Sequence, residues 1–216
     1  MTTDHPPPVS RNAQKLLTRQ KLLEATIDII ANEGFAGVTM AKVAQRTGLS
    51  RGIGNFHFQT KEQLMLEAFQ MLYSEHEQTW RAIVDDDSLS PVHRLTLLVR
   101  TLLSPPLADH KKIAVWLAFW GVAPHRRTYI TICTEGDCLY EEAITALLRQ
   151  LAGKEQTKIN GMGMHAIAVA LTAMIDGTHL QYLIAPDRLS PDEAIRACLS
   201  FLSSFFQQFT AELADR

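Results

Sequence analysis

Polar side chains cluster in the stretch TMAKVAQRTGLSRGIGNFHF, residues 39–58. Ser50, Arg51 and Asn55 lie within six consecutive residues, and Gly52 stands among them. A hydroxyl, a guanidinium and an amide can hydrogen-bond phosphate oxygens or base edges, and arginine can hold guanine with two hydrogen bonds. Because glycine has no Cβ, Gly52 would let the backbone approach a duplex closely. These residue types indicate contact with nucleic acid.

A second group of residues is suited to binding a small ligand. Trp116 and Trp120 are four residues apart on one face of a predicted helix, with Phe119 beside them. Two indole rings on one face can form walls for a cation such as a quaternary ammonium ion. Paired aromatic residues at helical spacing are also common in hydrophobic cores. Both interpretations stay open at the level of the sequence.

Acidic and phenolic side chains follow on the next two predicted helices. Asp137 and Tyr140 lie on the first of these helices, and Asp176 and His179 lie on the second. Asp176 sits in an apolar stretch, where a carboxylate needs a partner. That partner is either a cationic ligand or a hydrogen-bonding group on a neighbouring helix. The ligand class stays open between a cationic osmolyte precursor and an apolar or aromatic metabolite or drug.

Catalytic patterns are not found in the sequence. It has no nucleophile with a suitably spaced base and no glycine-rich phosphate loop. Its three cysteines lack the spacing of a zinc site, and its histidines are scattered along the chain. We therefore expect a binding protein, with no catalytic residues, no cofactor and no metal.

Charge is divided unevenly along the chain. From Ser10 to Lys61 there are eight basic residues and three acidic ones, a balance of +5, whereas from Glu62 onward 13 basic residues face 19 acidic ones. A basic end on an acidic body can hold a polyanion by that end alone, because the acidic part is repelled by phosphates. A specific DNA-binding protein and a non-specific DNA-compacting protein both fit this distribution.

Helical periodicity and capping residues position the first cluster. Thr39 is placed to cap a short helix that ends at Gly48, and Ser50 is placed to cap the next one. Two short helices joined by a tight glycine turn are typical of a helix-turn-helix unit. Gly54, which follows in the second short helix, is also expected to allow close approach to DNA.

The rest of the chain also has helical patterns, and we predict an all-α fold of about nine helices. The last two are predicted over residues 159–184 and 191–214. The apolar faces of these two helices are wider than one bundle must bury, which predicts a homodimer formed through them. These face residues are Ala166, Val169, Ala170, Ala173, Ile184, Ile195, Leu199, Leu202, Phe206 and Phe209.

Domain organisation and location follow from the same patterns. We predict a disordered arm over residues 1–9, a helix-turn-helix DNA-binding domain over 10–62, and a ligand-binding and dimerisation domain over 63–216. The first residues lack the apolar run of a secretory signal, so we expect a cytoplasmic protein without a membrane partner.

The amino-terminal quarter resembles the TetR family of repressors. The similarity extends over about residues 16–68, and its long in-register signature makes it highly specific. The matching residues are Leu22, Leu23, Glu24, Ala25, Gly34, Phe35, Thr39, Val43, Ala44, Gly48, Leu49, Ser50, Gly52, His57, Phe58, Lys61, Glu62 and Leu64.

This resemblance implies a three-helix DNA-binding head on a larger helical body that binds a ligand and dimerises. It also implies a double-stranded palindromic operator, a small-molecule effector and DNA contacts in the head. The implied DNA-facing residues are Thr39, Ser50, Arg51, Gly52, Asn55, His57 and Lys61. The family usually has leucine and tyrosine where this chain has Gly54 and Asn55, so Asn55 would have to replace a tyrosine hydroxyl at a phosphate.

The body is similar to the choline-responsive repressors of betaine biosynthesis within the same family. The similarity lies in the segments VWLAFWGVAPHRR and AMIDGTHL, which also occur in a wider subgroup with other inducers. It points to a ligand-responsive repressor, with choline as one candidate ligand. The candidate ligand-binding residues are Trp116, Phe119, Trp120, Asp137, Tyr140 and Asp176.

Overall fold

The computed structural model describes residues 10–153 and 155–214. This part of the chain forms ten α-helices, a 3₁₀ turn over Ala123–His125 and one small β-hairpin, which confirms the all-α prediction. The helices are α1 (Arg11–Gly37), α2 (Met40–Thr47), α3 (Arg51–His57), α4 (Lys61–Val84), α5 (Pro91–Leu102), α6 (His110–Val122), α7 (Arg127–Ala152), α8 (Met164–Ile184), α9 (Pro191–Ser203) and α10 (Phe209–Ala214). The expected arm over residues 1–9 lies outside the described residues.

The chain divides into two compact units, Met1–Met71 and Leu72–Arg216, which we call the head and the body. Helix α4 contributes residues to both units. The boundary that we expected between residues 62 and 63 lies in the first turn of that helix, whereas the change between units falls further along it.

Capping residues begin and end the helices of the head. The Thr39 and Ser50 hydroxyls accept hydrogen bonds from the backbone amides of Lys42 and Ile53, which begins α2 and α3 as expected. Gly48 ends α2 in the left-handed conformation that glycine favours, with φ of 69°. These caps explain how two helices as short as α2 and α3 are held next to each other.

The core of the body is built from α4, α5 and α7 to α10. Trp80, Leu98, Ile144, Leu171 and Leu199 are representative members of this cluster, and each is almost fully buried. Helix α8 packs against both α7 and α9 within this cluster.

A β-hairpin replaces the predicted start of α8 at residue 159. Strands β1 (Lys158–Ile159) and β2 (Met162–Gly163) pair antiparallel, and α8 begins only at Met164. Asn160 and Gly161 have φ of 50° and 82° and form the two-residue turn. Because this asparagine–glycine pair fits a tight hairpin turn better than a helix, the prediction of helix from residue 159 is wrong.

The predicted final helix over residues 191–214 is broken into α9 and α10. The Ser203 and Ser204 hydroxyls bond the carbonyls of Ser200 and Phe201, and the Asn160 side chain donates to the Ser204 carbonyl over 2.8 Å. These bonds compete with continuation of the helical ladder, which explains the break after Ser203.

The apolar face that we predicted on the last helix does not lie on the surface of the chain. Ile195, Leu199, Leu202, Phe206 and Phe209 are each at most 5% exposed, because they pack into the core of the body itself. That part of the dimer prediction is wrong for these residues.

Helix α8 keeps an exposed apolar face. Val169, Leu180 and Ile184 are 38%, 42% and 64% exposed. Its length and composition alone would suit a membrane span. It packs against α6, α7 and α9, however, and contains Asp176 and His179, so we interpret it as a helix of the bundle.

Candidate functional site

Helix α3 presents a polar, exposed surface in the head. Ser50, Arg51, Gly52 and Asn55 are all exposed, and Thr39 is exposed at the start of the neighbouring α2. Helices α2 and α3 pack against each other. The structure therefore brings five of the seven predicted DNA-facing residues to the exposed parts of one helix pair.

The hydroxyls that cap these helices keep a free hydrogen-bonding function. The Ser50 oxygen accepts from the Ile53 amide over 3.3 Å, and the Thr39 oxygen accepts from the Lys42 amide over 3.1 Å. In each hydroxyl the O–H group is still able to donate. Both residues can thus cap a helix and donate to a phosphate oxygen at the same time.

Cations in the head differ in how they are paired. Arg19 forms an ion pair with Glu67, and Lys42 forms one with Glu33. In the part of the chain that the structure describes, Arg51 and Lys61 form no ion pair. Lys61 is half-buried at the first position of α4, where free amides and the helix dipole also favour an anion.

Gly54 does not have the role that the sequence suggested. It is buried, and a Cβ added there would lie 3.5 Å from the Met40 methyl carbon. Gly54 therefore lies in the contact between α3 and α2 and not on the exposed surface, and the 3.5 Å contact is an ordinary one that does not itself require glycine. At Gly52 the nearest atom to an added Cβ is the Ser50 hydroxyl at 3.8 Å, so this position is open, and close approach to DNA there stays a prediction.

His57 differs from the other predicted DNA-facing residues. It is half-buried between the Phe56 and Phe58 rings, and its buried Nδ1 has no hydrogen-bond partner among the described residues. Burial lowers its pKa, and the nearby charges of Lys15 and Arg19 lower it further. Near neutral pH the ring is uncharged, so His57 would contribute a hydrogen bond rather than a charge.

Two apolar residues of α3 were missed by the sequence reasoning. Phe56 is 72% exposed and Ile53 is 39% exposed. The Lys15 amine lies 5.5 Å from the centre of the Phe56 ring. Apolar groups of this kind can contact the methyl group of thymine in the major groove. The polar residues around them drew attention in the sequence, whereas exposure of an aromatic residue needs the folded helix to be seen.

A cavity of about 70 Å³ lies inside the body, among α4, α6, α7 and α8. It has space for roughly five water molecules, which suits a small ligand. Its lining includes five of the six predicted ligand-binding residues: Trp116, Trp120, Asp137, Tyr140 and Asp176. Three consecutive parts of the sequence thus meet at one site, as the ligand hypothesis requires.

Aromatic rings form a continuous wall of the cavity. The Tyr73 and Trp116 ring centres are 4.6 Å apart in an edge-to-face arrangement, and those of Trp116 and Trp120 are 6.2 Å apart. His76 lies 5.8 Å from Trp116 and 5.7 Å from Tyr140 by the same measure. Such a group of ring faces and edges can surround a cation without any direct hydrogen bond to it.

Two carboxyl groups face this aromatic wall. Burial raises the pKa of Asp176 to about 7, with further contributions from the negative charges of Asp137 and Glu141. Burial also raises the pKa of Asp137 to about 6, and the charge of Glu141 adds to this. The Tyr73 hydroxyl donates a hydrogen bond to Asp137 over 3.5 Å, and this bond lowers the pKa of Asp137. Each carboxylate would be stabilised by a positive charge placed in the cavity.

The remaining ionisable groups of the lining do not supply that charge. Lys112 is already paired with Glu75. Burial lowers the pKa of His76 to about 4 and also lowers that of His179, so both rings are neutral at physiological pH. Among the described residues, none forms an ion pair with Asp137 or Asp176. The cavity is therefore negatively charged when its carboxyl groups are ionised.

Phe119 is not part of the cavity. Its side chain is fully buried and packs against the Tyr129 ring, with ring centres 5.8 Å apart. It directly precedes Trp120, and because successive residues of a helix point about 100° apart, its side chain enters a different part of the bundle. The prediction that Phe119 binds ligand is replaced by a role in the core.

Several cavity residues were missed in the sequence. Tyr73 and His76, three positions apart on α4, contribute a ring each, and Thr172 on α8 contributes a hydroxyl. The spacing of Tyr73 and His76 places them on one helix face, but nothing local shows that this face meets Trp116. Only the packing of α4 against distant helices reveals it.

Comparison with known proteins identifies the family of this chain. The model of the tetR family of bacterial regulatory proteins matches residues 22–68, and the model of the BetI-type transcriptional repressor carboxy-terminal domain matches residues 91–207, more than half of the chain. The HTH-type transcriptional regulator BetI of Pseudomonas paraeruginosa is 26% identical over 191 residues, covering 86% of this chain and 91% of the relative. BetI 1 of Chromohalobacter salexigens is 26% identical over 197 residues, covering 90% and 93%.

Solved structures have the same fold. A transcriptional regulator from Pseudomonas aeruginosa has a TM-score of 0.76 at 23% identity, covering 91% of this chain and 92% of its own. A transcriptional regulator from Saccharomonospora viridis, solved in complex with choline, has a TM-score of 0.75 at 23% identity, covering 87% and 96%. Family members bind DNA operators and small-molecule effectors and are regulators, not enzymes. The chain belongs to the TetR family of transcriptional repressors, with a carboxy-terminal domain of the BetI type.

Proposed function

We propose that this protein is a homodimeric repressor whose operator affinity changes when a small organic cation, such as a quaternary ammonium compound, binds the cavity of the body. The operator would be a palindrome of double-stranded DNA read by the two heads, and the protein would act in the cytoplasm. The sequence-specific reading is favoured over non-specific compaction because α3 offers donors for base edges as well as phosphates.

One observation carries the ligand proposal. The cavity combines aromatic rings with two carboxyl groups, Asp137 and Asp176, and its own lysine is paired with Glu75. A cation would lie against ring faces and restore the charge balance that burial disturbs. The choline complex of the similar S. viridis regulator adds support for this ligand class. An apolar or aromatic effector would leave both carboxyl groups without an opposite charge.

The DNA proposal depends on the exposed residues of the head. Ser50, Arg51 and Asn55 would contact base edges or phosphates, Thr39 and Lys61 would contact phosphates, and Gly52 would permit the approach. Half-buried His57 would serve as a neutral hydrogen-bonding group at the edge of this surface. Selection of bound sequences from a random DNA pool tests this: a palindrome is expected, and retention of unrelated sequences at equal affinity would favour non-specific binding.

The dimer would form through the exposed apolar face of α8. Val169, Leu180 and Ile184 lie on this face, and water-exposed apolar side chains on one helix suit an isologous interface. The helix α9 would contribute a face other than its buried one. Val169→Glu should convert the dimer to monomer in sedimentation measurements, whereas Leu139→Glu, on an exposed apolar position of α7, should leave the dimer intact.

The ligand experiment compares a cation with a neutral molecule of the same shape. Choline and 3,3-dimethyl-1-butanol differ in whether nitrogen or carbon carries the three methyl groups. We expect calorimetry on the full-length protein to show choline binding at least ~10-fold tighter, because only the charged compound gains cation–π and carboxylate interactions. Equal binding of the two compounds would instead support the apolar-effector alternative.

A further inference from the structure

Basic residues recur at every fourth position along one face of α1. They are Arg11, Lys15 and Arg19, and this spacing places their side chains one helical turn apart on the same side of the helix. None of the three is among the predicted DNA-facing residues, which lie on α2, α3 and the start of α4. The basic row of α1 therefore adds positive charge to a different part of the head.

Two members of this row contact aromatic rings at the carboxyl-terminal end of α3. The Lys15 amine lies 5.5 Å from the centre of the Phe56 ring, and the Arg19 guanidinium carbon lies 5.0 Å from the centre of the Phe58 ring. Phe58 is fully buried, whereas Phe56 is 72% exposed. Because the face of an aromatic ring attracts a cation, Phe56 holds the flexible lysine side chain beside the exposed end of α3.

The two cations differ in whether an acidic residue neutralises them. Arg19 forms an ion pair with Glu67 on α4. Lys15 is exposed, and within the described ranges of the chain it forms no ion pair. Its charge is therefore available to an anion that a partner brings to this surface.

The carboxyl-terminal end of α3 needs such a charge if a phosphate is to lie there. The end of a helix with free carbonyls carries partial negative charge, which repels an anion. His57 is the basic residue of the last turn, but burial and the charges of Lys15 and Arg19 lower its pKa, so its ring is neutral near pH 7. Lys15 on α1 supplies the positive charge that α3 itself lacks at this end.

We propose that Lys15 contacts a phosphate of the operator and that Phe56 is the positioning residue that holds the Lys15 amine beside α3. This inference rests on the proposed function, since it requires that α3 binds DNA. A phosphate contact carries no sequence information, so Lys15 would raise the affinity for operator and unrelated DNA alike. The DNA-binding surface of the head then includes α1 as well as α2, α3 and the start of α4.

Lys15→Met tests the phosphate contact, because it removes the charge and keeps an unbranched side chain. In anisotropy titrations of the full-length protein, we expect the selected operator and random-sequence DNA both to bind roughly tenfold more weakly. A plot of log affinity against log salt concentration should become shallower by about two, because each head of a dimer loses one phosphate contact.

Lys21→Met is the matched control for this variant. Lys21 is an exposed lysine of the same helix, and it points about 120° away from Lys15 around the helix axis. The change in net charge is the same, but the salt dependence should match that of the original protein. Equal changes in salt dependence in the two variants would show that only total positive charge matters and would overturn the inference.

A double-mutant cycle tests the positioning role of Phe56. Phe56→Leu removes the ring, whereas Phe56→Tyr keeps a ring face for the cation. We expect Lys15→Met to cost less operator affinity when Leu replaces Phe56 than in the original protein, and to keep its full cost when Tyr does. Additive losses in Phe56→Leu would mean that Phe56 contacts DNA independently, for example at a thymine methyl group, and would refute the positioning role.

Thermal melts show whether the pair instead serves folding. Both side chains are exposed, so Lys15→Met and Phe56→Leu should change the melting temperature little. A lowered melting temperature together with an unchanged salt dependence would assign the pair to stability and overturn the inference.

The outcomes also separate this inference from the proposed function. If the original protein binds its operator specifically and Lys15→Met keeps the same salt dependence, the phosphate contact is wrong while the proposed repressor function stands. If the original protein binds no DNA, the proposed function is wrong and the inference falls with it.

Discussion

The head and the body place their functional side chains in opposite surroundings. Ser50, Arg51 and Asn55 in the head are exposed, whereas Tyr140 and Asp176 in the body are fully or partly buried. DNA brings its own dense charge to an exposed surface, but a small ligand must be enclosed to gain enough contact. The comparison indicates that the head would bind DNA through exposed polar and charged side chains. The body would bind its ligand through side chains that are removed from water.

The largest expected effect is on operator affinity, after a change in an exposed residue of the head. Arg51→Ala should weaken operator binding by about 1–3 kcal/mol at each half-site, and the effect should count twice in a dimer. Ligand affinity should not change. Fluorescence anisotropy with the selected operator measures the first effect, and calorimetry measures the second.

Arg100→Ala is the matched control for Arg51→Ala, because Arg100 is an exposed arginine on α5 of the body. It should leave operator affinity within about twofold of the original protein, as expected for an exposed charge away from the interface. Equal losses in the two variants would mean that the positive charge acts non-specifically.

A change in the aromatic wall of the cavity should weaken ligand binding and leave operator binding unchanged. Trp116 touches both Tyr73 and Trp120 in the cavity, so Trp116→Leu removes a ring face and its contacts. A desolvated cation–π contact of about 2 kcal/mol predicts a loss of roughly 30-fold in choline affinity. Operator affinity without ligand should stay the same. If Trp116→Leu binds choline with unchanged affinity, the proposal that the aromatic wall binds the cation is wrong.

The carboxyl groups that line the cavity should make ligand binding depend on pH. The pKa of Asp176 is raised to about 7, and a cation binds better to the ionised form. Choline affinity should therefore rise about tenfold between roughly pH 6 and 8 and should release protons on binding. His76, with a pKa lowered to about 4, stays neutral throughout this range. Asp176→Asn should flatten the profile, and an unaltered profile in that variant would assign the effect elsewhere.

Stability of the ligand-free protein should change with pH in the opposite direction. The folded-state pKa of Asp176 lies above the ordinary value of 3.8, so the folded state holds its proton more tightly than the unfolded chain. The free energy of unfolding should then fall as the pH rises from about 4 through 7, and Asp176→Asn should reduce this fall. Thermal melts at a series of pH values measure it.

The smallest expected effect on choline affinity comes from a change in the position of the Tyr73 ring. A Cβ added to Gly136 on α7 would lie 2.6 and 2.8 Å from two carbons of the Tyr73 ring. Gly136→Ala should therefore displace the ring, disturb its hydrogen bond to Asp137 and weaken choline binding several-fold, with a stability cost of about 1–3 kcal/mol.

Gly121→Ala on α6 provides the comparison for this change, because no atom lies within 4 Å of its added Cβ. It should leave ligand affinity unchanged and be neutral or slightly stabilising, as expected for alanine in a helix. A stabilised Gly136→Ala protein with normal affinity would show that Tyr73 does not need its present position.

The contrast between the units also explains what the sequence could reveal. The caps at Thr39, Gly48 and Ser50 are local signals, and each is confirmed by the backbone geometry. Asn160 and Gly161 were an equally local signal for a hairpin, and they were overlooked because the apolar run after them fits a helix.

The body depends on contacts between distant parts of the chain. The sequence placed Trp116, Asp137 and Asp176 on three different helices but could not show that Tyr73 joins them or that Phe119 faces elsewhere. The role of Gly54 was also misread, since its contact with Met40 exists only once α2 and α3 have packed. Helical spacing defines a face, and only tertiary packing decides what that face meets.

The central claim is that binding of one small cation in the body changes the affinity of the head for operator DNA. The direct measurement is operator affinity of the full-length protein with and without saturating choline, at constant ionic strength. A coupling of about 2.7 kcal/mol corresponds to a hundredfold change, and choline affinity must then change by the same factor when operator is bound. We predict a large, reciprocal change in both affinities; choline that binds the protein without altering operator affinity would contradict the account.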